Sequence, residues 1–208
     1  MTTKNINSWA NYDAESSLYF ENYNKVYFSN VHRQFVSFLP KNSKAEVLDI
    51  GCGSGRDALS LARRGYQVTA IDPSIKMLEL AQKKNKHRNI RWLNDSLPEL
   101  SKLTHNTYDF VLMSAVWMHI APWNRNISIQ RVSELLKAGS RLAITLRIGD
   151  PDPKRLMYSA NLEELLQQAA DADLSPIYIS RENKDSLNRK EVTWRKIVFQ
   201  KKERSTSL

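Results

Sequence analysis

Val47-Leu48-Asp49-Ile50-Gly51-Cys52-Gly53-Ser54-Gly55-Arg56-Asp57 is an apolar strand that enters three alternate glycines and continues into a helix beginning Ala58-Leu59-Ser60-Leu61-Ala62. Strand, tight turn and helix in immediate succession are the opening unit of a parallel α/β sheet. Glycines at that turn let the backbone bend sharply and approach a ligand, because no Cβ intrudes. A dinucleotide fingerprint would read G-x-G-x-x-G, whereas here the third glycine comes one residue early and Arg56 stands where that motif has glycine. The spacing tilts away from NAD.

Outward from this stretch, apolar runs of strand character alternate with helical ones. The strands expected are Glu46–Ile50, Gln67–Asp72, Ile90–Asn94, Tyr108–Ser114, Arg141–Ile148, Ile177–Arg181 and Val192–Gln200. Between them the periodicity predicts helices over Arg56–Arg64, Ile75–Lys84, a short one near Leu97–Leu103, Ile127–Lys137 and Leu162–Ala170. Upstream, Val31, Phe35, Phe38 and Leu39 recur at helical spacing, so Tyr19–Leu39 is expected to form an amphipathic helix that stops at Pro40. The organisation expected is a helical lid or appendage over residues 1–40, one α/β domain over 41–204 and a tail at 205–208.

With 208 residues the chain fits one core and one active site. Residues 1–17 contain no apolar stretch suited to a signal peptide, and the uncharged run Phe110–Trp123 is too short for a membrane span. A single cysteine, Cys52, leaves no intrachain disulfide and no cysteine-rich metal site. The histidines at 32, 87, 105 and 119 have no ligand spacing, so no metal is expected. A cytoplasmic protein without membrane attachment, acting as a monomer or homodimer, is the expectation. The net charge of +9 is concentrated late in the chain, where residues 181–204 hold nine Lys/Arg against four Asp/Glu. Such a segment can draw nucleic acid or an anionic small molecule, although surface lysines and arginines commonly only solubilise.

The stretch Leu48-Asp49-Ile50-Gly51-Cys52-Gly53-Ser54-Gly55 resembles the first motif of the small class I S-adenosylmethionine-dependent methyltransferases, and the likeness extends over roughly residues 45–150. The fold implied is a Rossmann-like α/β domain with a seven-stranded, mostly parallel sheet, an antiparallel last strand and helices on both faces. The cofactor implied is S-adenosylmethionine, leaving as S-adenosylhomocysteine. By the same resemblance Gly51, Gly53 and Gly55 belong to the cofactor loop, Gly51 and Gly53 packing against the methionine portion, and Asp49 lies beneath the cofactor's amino group. Asp72, which ends the second strand 17 residues after Gly55, is placed to accept from both ribose hydroxyls. Asn94-Asp95-Ser96 resembles the family's third motif, which gives Asp95 and Ser96 the adenine. Ser114, closing the fourth strand, faces the methionine group and the acceptor, while Ile71 and Met77 wall the adenine.

Methyl transfer is an in-line displacement at a sulfonium, so positioning the acceptor does much of the catalytic work. If the acceptor must lose a proton, His119, five residues past the fourth strand, is the best-placed base, with a structural histidine as the plainer reading. Tyr12, Tyr19, Tyr23, Trp117 and Trp123 could shield the sulfonium, with core packing the alternative for some of them and above all for Trp117, and Tyr12 and Tyr19 are the lid residues expected. Arg147, Arg155 and Arg189, with Lys154, Lys184 and Lys190 nearby, would gather at the carboxyl edge of the sheet and clamp an anionic acceptor. The leading function is methyl transfer to a small, anionic acceptor. Two other readings stand beside it: an RNA methyltransferase acting on ribose or a ring nitrogen, and a module that binds the cofactor without turnover. Nucleic acid is the less favoured partner, because no cysteine is free to attack a pyrimidine and Ser114-Ala115-Val116-Trp117 is not the tetrad of base-amine enzymes.

Overall fold

A computed structural model describes residues 9–187, 189 and 191–203, so Lys190 and the proposed tail at 205–208 lie outside the described residues. Five parallel strands form the body of the sheet: β1 (Glu46–Ile50), β2 (Gln67–Ile71), β3 (Ile90–Leu93), β4 (Tyr108–Ser114) and β5 (Leu136–Ile148). Beyond β5 come β6 (Leu174–Ile179), the two-residue β7 (Asn183–Lys184) and β8 (Thr193–Lys201). The sheet therefore has eight strands, in the order β3-β2-β1-β4-β5-β8-β6, with β7 paired to β8. The last strand, β8, runs antiparallel to β5, β6 and β7. The chain winds outward from β1 to β3 and then crosses to β4 on the other side, so a crevice opens at the carboxyl ends of β1 and β4, where open α/β sheets bind ligands.

Strand register sets the site. Ile50 pairs with Ile71 on one side and Met113 on the other, and Ser114 pairs with Thr145. Gly51, Asp72, Ser114 and Thr145 consequently emerge at one level of the sheet edge.

One face of the sheet, with Leu48, Ile50, Val111, Ile144 and Ile197, is covered by α6 (Pro122–Leu135) and α7 (Leu162–Asp171). The other, with Val47, Phe110, Leu112, Ala143 and Val198, packs against the N-terminal segment, α4 (Arg56–Ala62) and Leu78 of α5 (Ile75–Lys84). α7 starts on an Asn161 cap and α5 on a Ser74 cap, each side chain accepting from amides of the first turn.

The continuous helix expected over Tyr19–Leu39 is broken. α1 (Ala10–Ala14) and α2 (Ser16–Tyr23) are followed by an extended Tyr27 (φ −97°, ψ 154°), then α3 (Phe28–His32) and a 3-10 turn over Arg33–Phe38. The apolar spacing survives because Phe28, His32, Phe35 and Leu39 are the buried positions. Leu97–Leu103 is not a helix either. Leu100 sits at φ 43°, and the Arg131 guanidinium donates to the carbonyls of Glu99, Leu100 and Leu103. α6 begins earlier than expected, on Pro122, which suits a first helical turn. It ends at Leu135 directly into β5, so that strand starts five residues before Arg141. β6 likewise starts at Leu174, before Pro176, which an edge strand paired only to β8 can hold.

Candidate functional site

Two adjoining cavities, of about 220 and 330 Å³, lie at the carboxyl edge of the sheet. The smaller is lined by Gly51, Gly53, Asp72, Met77, Ser114 and Thr145; the larger by Ile50, Ile71, Asp95, Ser96, Tyr158 and Trp123. Trp9, Gly51, Pro73, Val116 and His119 belong to both.

The glycine loop divides its work. Gly53 has φ 51°, and a Cβ there would stand 3.5 Å from the Tyr23 ring on the cavity side. Gly55, at φ 72°, faces the interior, where a Cβ would come within 2.5 Å of the Trp92 ring and 2.8 Å of the Asn85 amide. It lines neither cavity, and packing alone requires a glycine at this position. The carboxylate of Asp72 accepts from the Gly53 amide at 2.8 Å and the Ser74 amide at 2.9 Å. It is only 8% exposed, and burial, opposed by those two amides, pushes its carboxyl up to about 6. An Asp72→Ala change would therefore disturb the loop as well as any ligand held there.

Asp49 is buried behind the loop and lines neither cavity. Burial, then the neighbouring Asp57 carboxylate, raises its carboxyl well above the usual range, and Oδ2 has no hydrogen-bond partner among the described residues. Asp57 is the opposite case. The Arg56 guanidinium and His32 at 3.0 Å overcome its burial and hold it well below the usual carboxylate range. His32 Nε2 also lies 3.2 Å from Ser114 Oγ. Both contacts fall on one nitrogen, so Ser114, His32 and Asp57 are not a nucleophile relay, which needs a partner on each side of the ring. Asp95 Oδ1 accepts from the Ser96 amide and Oδ2 from the Lys102 amide.

The N-terminal helices close the outer side. The Ser74 hydroxyl donates to Asp13 at 2.6 Å, and Asn11 donates to the Lys154 carbonyl. The Tyr12 phenol lies 3.0 Å from His119 Nε2 and 3.2 Å from the Arg155 guanidinium that donates to it. Its ring packs on Tyr19 at 4.7 Å between centroids, and burial raises its hydroxyl well above the ordinary tyrosine range. Tyr19 carries the Arg155 guanidinium over its ring and lines neither cavity. His119 Nδ1 contacts the Leu156 carbonyl at 3.2 Å, and burial brings the imidazole down to about 4.

Four of the expected substrate residues are engaged within the protein itself. Trp117 is 1% exposed and lines neither cavity; the buried Arg125 lies over its ring, so it belongs to the core. Arg147 is buried, donates to the carbonyls of Gly149 and Asp150 in its own loop, and lines neither cavity. Arg189 does line the smaller cavity, but it pairs with Asp185 through both Nε and a terminal nitrogen. Arg155 holds Tyr12 and Asp152 and lines neither cavity. The sequence reading passed over His32, Trp9, Asp185, Trp194 and Lys196. His32 meets Asp57 and Ser114 only through the fold, and Lys196, two residues along the last strand from Trp194, carried a local signal, since charge on an otherwise apolar strand marks a site facing out of the core.

Residues 47–139 match the family model of a methyltransferase domain. A ubiquinone biosynthesis O-methyltransferase of Rickettsia akari is 38% identical over 80 residues, which are 38% of this chain and 31% of that protein. The chain spans half or less of the length of such curated relatives. Among solved structures, a SAM-dependent methyltransferase of Methanosarcina mazei aligns with a TM-score of 0.69 at 22% identity, over 83% of this chain and 98% of that one. The cyclase SpnF aligns at 0.75 with 14% identity, over 92% of this chain and 94% of that one. These likenesses establish the fold, and since one of the two is a cyclase, fold alone does not fix the reaction.

Proposed function

We propose that this chain is a class I S-adenosylmethionine-dependent methyltransferase that transfers a methyl group from S-adenosylmethionine to a small molecule, a reading supported by the match of residues 47–139 to a methyltransferase domain. The observation that carries this reading is the row Gly51, Asp72, Ser114 and Thr145, aligned by strand register and all lining one cavity of about 220 Å³.

The residues suit the cofactor. Gly53 leaves a face that a side chain would fill, Asp72 keeps lone pairs for ribose hydroxyls, and the unpaired Oδ2 of Asp49, behind the loop, suits an ammonium reached through water. Ile71, Asp95 and Ser96 in the adjoining cavity suit the adenine. When bound, the cofactor supplies an electrophilic methyl group on a sulfonium. The protein's own part is to position the acceptor and exclude water, work for which the aromatic lid of Trp9, Tyr12 and Tyr23 is suited. His119 is neutral at physiological pH and already engaged at both nitrogens. We assign it to positioning Tyr12, in preference to general base.

Among the described residues no helix is long and apolar enough to cross a membrane. The experiment is a thermal-shift panel with S-adenosylmethionine, S-adenosylhomocysteine and NAD, followed by a tritiated-methyl assay on metabolite extract and on RNA. Stabilisation by the first two alone, with label entering the small-molecule fraction, is expected. No response to either would sink the reading, and label confined to RNA would replace the acceptor.

A further inference from the structure

The row of residues at the sheet edge continues past the parallel strands. Thr145 pairs with Lys196 on β8, so at the level of the glycine loop the edge runs from Gly51 through Ser114 and Thr145 to Lys196, and all four line the smaller cavity. Lys196 is half-buried, and burial, with the like charge of Arg33, holds its ammonium below the ordinary lysine range. The carboxylates around it are already matched. Glu182 takes Arg195, Asp185 takes Arg189 and the Trp194 indole, and Asp57 takes Arg56. Among the described residues no carboxylate pairs with Lys196, nor with Lys184, which lines the same wall from β7. An ammonium drawn out of water without a counter-ion is unfavourable, and a bound anion would relieve it.

We propose that Lys196, supported by Lys184, binds a carboxylate or phosphate carried by the methyl acceptor, which makes the acceptor an anionic small molecule. This rests on the methyltransferase reading above. The same geometry sets its size. Two strand spacings separate β4 from β8, on the order of 10 Å, so between the anion at Lys196 and an atom being methylated beside Ser114 there is room for a spacer about one aromatic ring long. The arginines first suspected of clamping an anion are held by Asp185, by loop carbonyls or by the lid, which leaves this role to the lysines.

The test uses the full chain loaded with S-adenosylhomocysteine, titrated with benzoate, phenyl phosphate and the neutral benzamide, in wild type, Lys196→Met, Lys196→Arg and Lys184→Met. The wild type should prefer the better of the two anions over benzamide by roughly ten-fold or more, a difference of about 1.4 kcal/mol. Whether benzoate or phenyl phosphate leads identifies the group. Lys196→Met should bring the preference to within two-fold while S-adenosylhomocysteine affinity and melting temperature hold. Lys196→Arg should keep part of it and Lys184→Met should reduce it less. No anion preference in the wild type, or an undiminished one in Lys196→Met, overturns the proposal. Failure of the wild type to bind S-adenosylhomocysteine would instead sink the methyltransferase reading and take this inference with it.

Discussion

The Tyr12 phenol donates to Nε2 of His119 at 3.0 Å, because the Leu156 carbonyl fixes the imidazole proton on Nδ1 and leaves Nε2 as acceptor. Helix α1 is thereby latched to the loop after β4, across 107 residues of sequence. Tyr12→Phe removes that bond and the acceptor for Arg155 without altering the ring's packing. The uncharged bond to His119 contributes about 1 kcal/mol net and the charged one from Arg155 about 1.5–3 kcal/mol, so S-adenosylhomocysteine affinity should fall at least roughly five-fold with the fold intact. Unchanged affinity by calorimetry would show that the latch does not bear on the cofactor.

Cofactor affinity should depend on pH through Asp72. Its carboxyl ionises near 6, and only the carboxylate can accept ribose hydroxyls while holding the Gly53 and Ser74 amides. Affinity is then full above that value and lost as pH falls through it, by roughly ten-fold between pH 7 and 5. Asp72→Asn should bind more weakly and flatten the profile. A wild-type profile already flat over this range would rule the assignment out.

The glycines at 53 and 55 should separate binding from folding. Gly53→Ala meets ordinary contact distances and a left-handed backbone penalty of about 1–2 kcal/mol, yet it fills the face offered to the cofactor. Gly55→Ala adds a collision with Trp92 and Asn85, for a total of about 2–5 kcal/mol. Melting temperature should therefore drop more for Gly55→Ala, and intrinsic cofactor affinity more for Gly53→Ala. The reverse ranking would mean that the loop's faces are misassigned.

Arg147→Met should act on stability. Its guanidinium caps the carbonyls of Gly149 and Asp150 from a buried position, and losing two charged hydrogen bonds costs about 3–6 kcal/mol. The ratio of affinities for anionic and neutral acceptors should stay the same. A change in that ratio at constant stability would return Arg147 to the acceptor site.

The cofactor half of the site was legible because it is local. Strand, glycine turn and helix lie within one short stretch, and the acidic end of the second strand follows at a fixed distance. The acceptor half is built from segments that meet only in the fold, and side-chain type alone cannot rank residues there. Arg147 looked like a clamp, but the loop after β5 turns its carbonyls back onto it. Trp117 looked like an aromatic shield, but a 3-10 turn over Trp117–His119 sends it inward while His119 stays at the cavities. The break at Tyr27 went unseen because the apolar spacing from Phe28 to Leu39 keeps one face through both helical forms. β7 was invisible because two residues carry no period.

Trp9 stands where the two cavities meet, at the start of α1. A molecule long enough to reach from the glycine loop to Asp95 must change the surroundings of this indole. The protein therefore has an intrinsic fluorophore at the junction, and the Trp9 emission, isolated by comparison with Trp9→Phe, is an optical gauge of occupancy that needs neither label nor turnover.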